Sequence, residues 1–104
     1  MKLQSHLKKN IEADAVIIEA AKLLNCDPQR FRKADRIASA DKLNRDILIF
    51  LLWHMGALTN QQIGEKFGLT YSAVSRRVSI LKELLKNDPA LHEKINKIKS
   101  LIKI

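Results

Sequence analysis

The sequence predicts an all-α domain of about six helices, arranged around a central helix-turn-helix. Its 104 residues suffice for one hydrophobic core but not for two, and 46% of them are hydrophobic, which excludes intrinsic disorder. Only three glycines and two prolines occur, so the turn signals of a β-sandwich or barrel are missing. Apolar residues recur instead at helical spacing along most of the chain.

The first helix is predicted from about Ile11 to Asn25. An apolar stripe marks one face of this segment at helical spacing, and its members are Ile11, Ala15, Ile17, Ile18, Ala21 and Leu24. Residues 1–10 are either an N-terminal extension of that helix or a linker, and residues 11–104 are expected to form the helix-turn-helix domain.

A short second helix is predicted from Asp27-Pro28 to about Arg32, since an N-cap residue followed by proline is a typical helix start. Phe31 is its expected core anchor. Cys26 is the single cysteine, which excludes an internal disulfide and a cysteine-based zinc finger. We expect it to be a small buried hydrophobe.

A third helix is predicted from about Asp41 to Met55, with Gly56 in the left-handed conformation that ends many helices. The run from Ile47 to Trp53 is apolar on every face, and its periodicity alone also allows a buried strand. The length of the pattern and the lack of a partner strand favour a central helix.

A helix-turn-helix is predicted over residues 59–78. Thr59 with Gln62 three residues later is a capping-box start for its first helix, and Thr70 or Ser72 can cap the second. Between them lies a tight turn. A chance helical hairpin is the alternative.

Two glycines fit the geometry of this motif. Gly64 is expected where the two helices approach most closely, because a crossing needs a residue without bulk. Gly68 is expected to have a positive φ in the turn, and Val74 to bury the second helix.

The second helix of the motif has two different faces. A narrow apolar stripe is formed by Val74, Val78, Leu81 and Leu85. The opposite face is polar at its start and basic later, with Ser72, Ser75, Arg76, Ser79, Lys82 and Lys86. This order suits a helix that places its first residues in the major groove and its later cations on phosphates. A solvated helix face is the alternative.

Asp88-Pro89 repeats the cap-plus-proline start and predicts a last helix that braces the core. Its apolar stripe consists of Leu91, Ile95, Ile98 and Ile102, and its lysines point outward. A membrane-surface helix is the sharper alternative, but no aromatic anchor is present.

The net charge of +8 favours a polyanionic partner, nucleic acid before an anionic membrane, although a basic surface can also merely solubilise a protein. The longest apolar run spans seven residues, Ile47 to Trp53, too short to cross a bilayer. The first residues lack the apolar segment of a secretory signal, so a cytoplasmic location is expected.

The order of the pieces resembles a known family. The matching segments are Cys26-Asp27-Pro28-Gln29-Arg30-Phe31, the basic loop after it, Arg45-Asp46-Ile47-Leu48, the segment 62–68 and Asp88-Pro89-Ala90-Leu91. Together they resemble the C-terminal duplex-binding domain of the bacterial replication initiator DnaA, a Trp-repressor-like helical fold. The segment 69–78 is more similar to the tails of REP-associated tyrosine transposases, which carry the same domain type.

The resemblance implies roles for individual residues. It implies that Arg36, with Arg32 or Lys33 as substitutes, enters the minor groove from the basic loop, and that Arg45 holds a phosphate. The residues expected in the major groove are Tyr71, Ser72, Ser75, Arg76 and Ser79. Those expected at phosphates, at the start of the first motif helix and late on the second, are Thr59, Asn60, Gln61 and Lys82.

No catalytic or metal-binding set is visible in the sequence, and no cofactor is expected. The three histidines are far apart, the single tyrosine is Tyr71, and no Walker-type phosphate loop occurs. Four carboxylates without a cleft are interpreted as members of solvated helix faces, namely Glu12, Asp14, Asp41 and Asp46.

The sequence therefore predicts a sequence-preferring, non-catalytic module that binds duplex DNA, related to the targeting domain of a transposase. A monomer is expected, and a dimer stays open. One alternative is a helical protein-interaction adaptor whose basic surface meets an acidic partner. Another is a small transcriptional repressor, which needs a dimer to read a palindrome.

Overall fold

The structure, a computed structural model, describes the backbone of residues 2–33 and 39–103 and the side chains of residues 12–31, 39 and 41–103. All regular structure within these ranges is α-helical, as predicted. The helices are α1 (Lys2–Leu24), α2 (Arg30–Lys33), α3 (Ser39–Met55), α4 (Asn60–Phe67), α5 (Tyr71–Asn87) and α6 (Pro89–Ile102).

The helix starts follow the sequence signals, with three shifts. α3 begins at Ser39, two residues before the predicted Asp41. α1 begins at Lys2, so residues 2–10 extend the first helix and do not form a linker.

Asp27 Oδ1 accepts a hydrogen bond from the amide of Gln29 at 3.0 Å, as expected of a cap. α2 nevertheless begins at Arg30 instead of at Pro28, because the first backbone bonds span three residues, from the amide of Arg30 to the carbonyl of Asp27 and from that of Phe31 to that of Pro28, both at 3.2 Å. Phe31 is buried, as predicted.

α3 is the centre of the molecule and packs against α1, α4 and α5. Every residue from Ile47 to Leu52 is at most 7% exposed, so the apolar run is covered on all sides. The central-helix prediction is confirmed and the strand alternative is wrong. After Met55 the chain turns at Gly56, whose φ of 70° is the predicted left-handed conformation.

α6 closes the core against α5 and α1. Asp88 Oδ1 accepts from the amide of Leu91 at 3.0 Å, and Pro89 occupies the first turn, so the predicted start is confirmed. The buried stripe of α6 joins the same core cluster as those of α3 and α5. The helix is therefore the brace that the sequence predicts. Among the described residues, no helix combines the length and apolarity needed to cross a bilayer.

Cys26 departs from its prediction. The thiol follows the end of α1 and packs against the core cluster, but the residue is only partly buried. Partial burial raises the pKa of the Cys26 thiol above its ordinary value, and the nearby carboxylates of Asp41 and Asp27 raise it further. The thiolate that a reactive cysteine needs is therefore disfavoured.

Candidate nucleic-acid interface

α4 begins with a complete capping box. Thr59 Oγ1 accepts from the amide of Gln62 at 3.1 Å, and Gln62 Oε1 accepts from the amide of Thr59 at 2.8 Å. The box thus uses both the hydroxyl and the amide of Thr59. The first-turn amides of Asn60 and Gln61 have no partner inside the helix, which makes them the better donors to an anion here.

The turn between α4 and α5 is built on the two predicted glycines. Gly68 has a φ of 69° and caps α4, as predicted. Gly64 lies against the turn and the next helix, because a Cβ on Gly64 would collide with the carbonyl oxygen of Leu69 and lie 3.4 Å from Val74 Cγ2. The predicted need for a residue without bulk at Gly64 is confirmed, although the tight contact is with the turn residue Leu69 and only an ordinary contact is made with α5. The arrangement is compatible with a helix-turn-helix.

α5 presents the predicted polar face to solvent. Thr70 caps the helix, its Oγ1 accepting from the amide of Ala73 at 3.1 Å. Val74, Val78 and Leu81 are buried beneath it. The residues assigned to the major groove and to the later phosphate contact are all exposed, namely Tyr71, Ser72, Ser75, Arg76, Ser79 and Lys82. The structure thus brings them onto one helix surface, and their contacts with DNA stay a prediction.

Arg45 is placed differently from the other assigned cations. Its side chain is only 11% exposed, and its Nε and Nη2 donate to Asp46 Oδ1 at 3.3 and 3.2 Å. The guanidinium is therefore directed to a protein carboxylate in this conformation. A phosphate contact by Arg45 stays a prediction. It requires that Asp46 either share the guanidinium with the phosphate or release it.

The interpretation of Asp46 as part of a solvated face is wrong. The residue is 7% exposed, and its Oδ2 accepts from Arg77 Nη1 on α5 at 3.4 Å. Burial raises the pKa of the Asp46 carboxyl above its ordinary value, and the positive charges of Arg45 and Arg77 oppose that rise. Asp46 thus links α3 to α5, the helix that presents the polar face.

The other three carboxylates differ in exposure. Glu12 is exposed, and Asp14 is exposed and pairs with Lys66 Nζ at 2.7 Å. Asp41 is partly buried and lies 3.5 Å from the guanidinium of Arg30. The solvated interpretation is therefore confirmed for the two residues on α1.

An aromatic cluster at the C-terminal end of α3 adjoins the basic part of α5. Lys82 Nζ lies 3.9 Å from the centroid of a Trp53 ring. The Phe50 ring is 5.8 Å from that of Trp53 and stacks on His54 at 6.3 Å. This contact is not predictable from local sequence, since residues 53 and 82 are joined only by the crossing of the two helices.

The structure does not describe the side chains that are assigned to the minor groove. Arg36 lies outside the described residues. Arg32 and Lys33 are described by their backbone alone, which belongs to α2. Their placement in a groove therefore stays a prediction. Among the residues that the structure describes, no group of three or more His, Cys, Asp or Glu side chains could hold a metal ion.

Comparisons with known proteins agree with the helical assignment. No family model and no solved structure matches the chain. The chain is 31% identical over 101 residues to the chromosomal replication initiator protein DnaA of Campylobacter jejuni subsp. doylei, an alignment that covers 93% of this chain and 22% of that protein. The chain thus spans about a fifth of its relative's length. Nearly all of this chain is therefore similar to a domain-sized part of a replication initiator, which supports a helical domain like the DnaA C-terminal domain.

Proposed function

We propose that this chain is a module that binds duplex DNA, with α5 as its recognition helix. The observation that carries the proposal is the exposed face of α5, which is polar at the capped N-terminal end and basic further along. A net charge of +8 and the similarity to a chromosomal replication initiator protein support the same partner.

In this proposal the N-terminal half of α5 lies in the major groove. Hydroxyl groups can accept or donate at base edges, and arginine forms two parallel hydrogen bonds with guanine. The side chains that read bases are Tyr71, Ser72, Ser75, Arg76 and Ser79. Because these residues are exposed without disturbing the buried stripe of α5, they can differ among related modules without cost to the fold.

In this proposal, phosphates are bound at the start of α4, at Lys82 on α5 and at Arg45 on α3. The free first-turn amides of Asn60 and Gln61 meet one phosphate at the start of α4, with Thr59 beside them as the cap. Lys82 meets another. Arg36, with Arg32 or Lys33 as substitutes, enters an adjacent minor groove, and Arg45 contributes a phosphate contact when Asp46 shares its guanidinium.

The finer assignment is a monomeric, sequence-preferring targeting module of a transposase-related protein, with no catalytic step in this chain. It depends on the similarity of the segment 69–78 to transposase tails. The reading frame upstream of this chain tests the assignment. Two histidines flanking one hydrophobic residue would support it, and a nucleotide-hydrolysing domain would contradict it.

Binding to a labelled duplex of random sequence, followed by fluorescence anisotropy, tests the proposal. With roughly six phosphate contacts, the affinity should fall about a thousand-fold between about 50 and 200 mM salt. Unlabelled duplex should displace the label. No binding at about 50 mM salt and about 100 μM protein would contradict the proposal.

A protein-interaction adaptor is distinguished by competition. Its acidic partner, recovered on the immobilised chain, would stay bound in excess duplex DNA, whereas a DNA-binding module releases such a partner. A repressor that reads a palindrome would bind DNA as a dimer, which sedimentation of the complex measures.

A further inference from the structure

Helix α3 passes beneath α5 and contacts it on both flanks of the buried stripe. On α5 the two contact residues are Arg77 and Lys82, which lie five positions and hence about 140° apart around the helix. On α3 their partners are Asp46 and Trp53, two turns apart. The two contacts therefore fix opposite edges of the same helix.

The contact at Trp53 differs from an ordinary packing contact because its other member is an exposed cation. The Lys82 ammonium lies 3.9 Å from the ring centroid, a distance at which the ring face attracts a positive charge. Lys82 itself is exposed, so one side of the ammonium is available to solvent. The indole holds the end of a side chain that would otherwise move among many rotamers.

The ring of Trp53 is in turn supported by the core. Phe50, which is buried, lies 5.8 Å from it between ring centroids. Because Trp53 is held by Phe50, its ring gives the Lys82 ammonium on α5 a fixed surface to lie against. Lys82 follows Ser75 and Ser79 by seven and three residues, which places it on the side of α5 that carries the proposed base contacts.

We propose that Trp53 is a positioning residue for DNA binding, which holds the Lys82 ammonium in place for a backbone phosphate. This inference rests on the proposed function. A lysine that is already ordered in the free protein loses less side-chain entropy when a phosphate binds. Trp53 therefore raises the affinity for every duplex sequence, since phosphates carry no sequence information.

A double-mutant cycle on duplex affinity tests whether Trp53 acts through Lys82. Trp53→Leu should weaken binding about three- to tenfold in the wild-type background and have almost no effect in the Lys82→Gln background. Trp53→Phe should restore part of the loss, because phenylalanine keeps an aromatic face. Lys86→Gln is the matched control, since Lys86 is an exposed lysine one turn further along α5.

In the Lys86→Gln background, Trp53→Leu should keep its full effect. Thermal unfolding of each variant establishes that it is folded, and if Trp53→Leu does not fold, the effect of Lys82→Gln on tryptophan emission is the test instead. Losses that simply add for Trp53 and Lys82 overturn the positioning role.

A second readout uses the fact that Trp53 is the single tryptophan of the chain. Its emission should differ between the free wild type and free Lys82→Gln, and the change on adding duplex should be smaller in that variant. Equal changes in both proteins overturn the positioning role. A wild type that fails to bind duplex at low salt overturns the proposed function itself, so the two failures are distinguishable.

Discussion

Asp46 on α3 and Arg77 on α5, 31 residues apart in sequence, form an ion pair at 3.4 Å at the edge of the hydrophobic core. The other oxygen of Asp46 accepts from Arg45, so one carboxylate is shared by two guanidinium groups. The pair joins the central helix to the helix that carries the proposed base contacts. Its loss should affect stability and binding together.

Asp46→Ala should lower the free energy of unfolding by about 3 kcal/mol, because two largely buried guanidinium groups lose their counter-charge. Urea denaturation measures the change. Glu65→Ala is the control, since Glu65 is exposed on α4 and its removal should cost at most about 0.5 kcal/mol. Equal effects of the two substitutions would mean that the pair adds nothing to stability.

Asp46 should also give the stability a particular pH dependence. Burial raises the pKa of its carboxyl in the folded chain above the ordinary value of 3.8, so the folded state keeps this proton at pH values where the unfolded state has lost it. The wild type should therefore lose stability relative to Asp46→Asn as the pH rises from about 3.8 through the raised pKa. Above that pKa the difference should be constant. A relative stability that increases over this range would show that the arginines outweigh burial.

The two glycines of the motif should respond differently to the same substitutions. Gly64→Ala should cost about 1 to 3 kcal/mol, because the added Cβ meets the backbone oxygen of Leu69, and Gly64→Leu should cost at least as much. Gly68→Ala should cost about 1 to 2 kcal/mol through its positive φ alone, since a Cβ there would have no neighbour within 4 Å among the described residues.

Substitution by asparagine distinguishes the steric collision at Gly64 from the backbone strain at Gly68. Gly68→Asn should recover part of the loss seen for alanine, because asparagine tolerates the left-handed conformation. Gly64→Asn should recover none. Thermal unfolding of the alanine and asparagine variants at both positions measures these differences, and the same pattern at both positions would contradict the close packing assigned to Gly64.

Arg76 should contribute to sequence preference and Lys82 to affinity for any duplex. On a site selected from a random pool, Arg76→Ala should cost about 1 to 3 kcal/mol, with little change on a scrambled duplex. Lys82→Gln should weaken both duplexes equally and reduce the salt slope by about one. Lys97→Ala, an exposed lysine of α6, is the matched control for lost charge. Equal losses on both duplexes for Arg76→Ala would mean that α5 does not read bases.

The features predicted from sequence are those whose causes lie within a few residues. Thr59, Gly68 and Asp88 are recognisable because a cap and its partner are at most four positions apart. The polar face of α5 follows in the same way from its periodicity. Such local signals predicted the starts of α4, α5 and α6 and the exposed candidate site.

The features that were missed depend on how helices cross. Asp46 directly precedes the apolar run of α3, but only the position of Arg77 on another helix shows that its carboxylate is buried and paired. The contact of Trp53 with Lys82 depends on the same crossing. The burial of Asp46 had one signal in the sequence, the apolar run that follows it. A helix that is covered on all sides also buries a polar residue at the edge of its apolar run.

The enclosure of α3 has a consequence for local opening of the backbone. Because α1, α4 and α5 all pack on it, exposing its amides requires that several helices separate at once. The amides of residues 47–52 should therefore exchange with deuterium only through global unfolding, whereas those at the end of α6 should exchange by fraying. The buried stripe of α5 packs on this enclosed helix. α5 should therefore bind DNA as a preformed helix. The hydrogen-exchange protection of its amides should hardly change when a duplex binds.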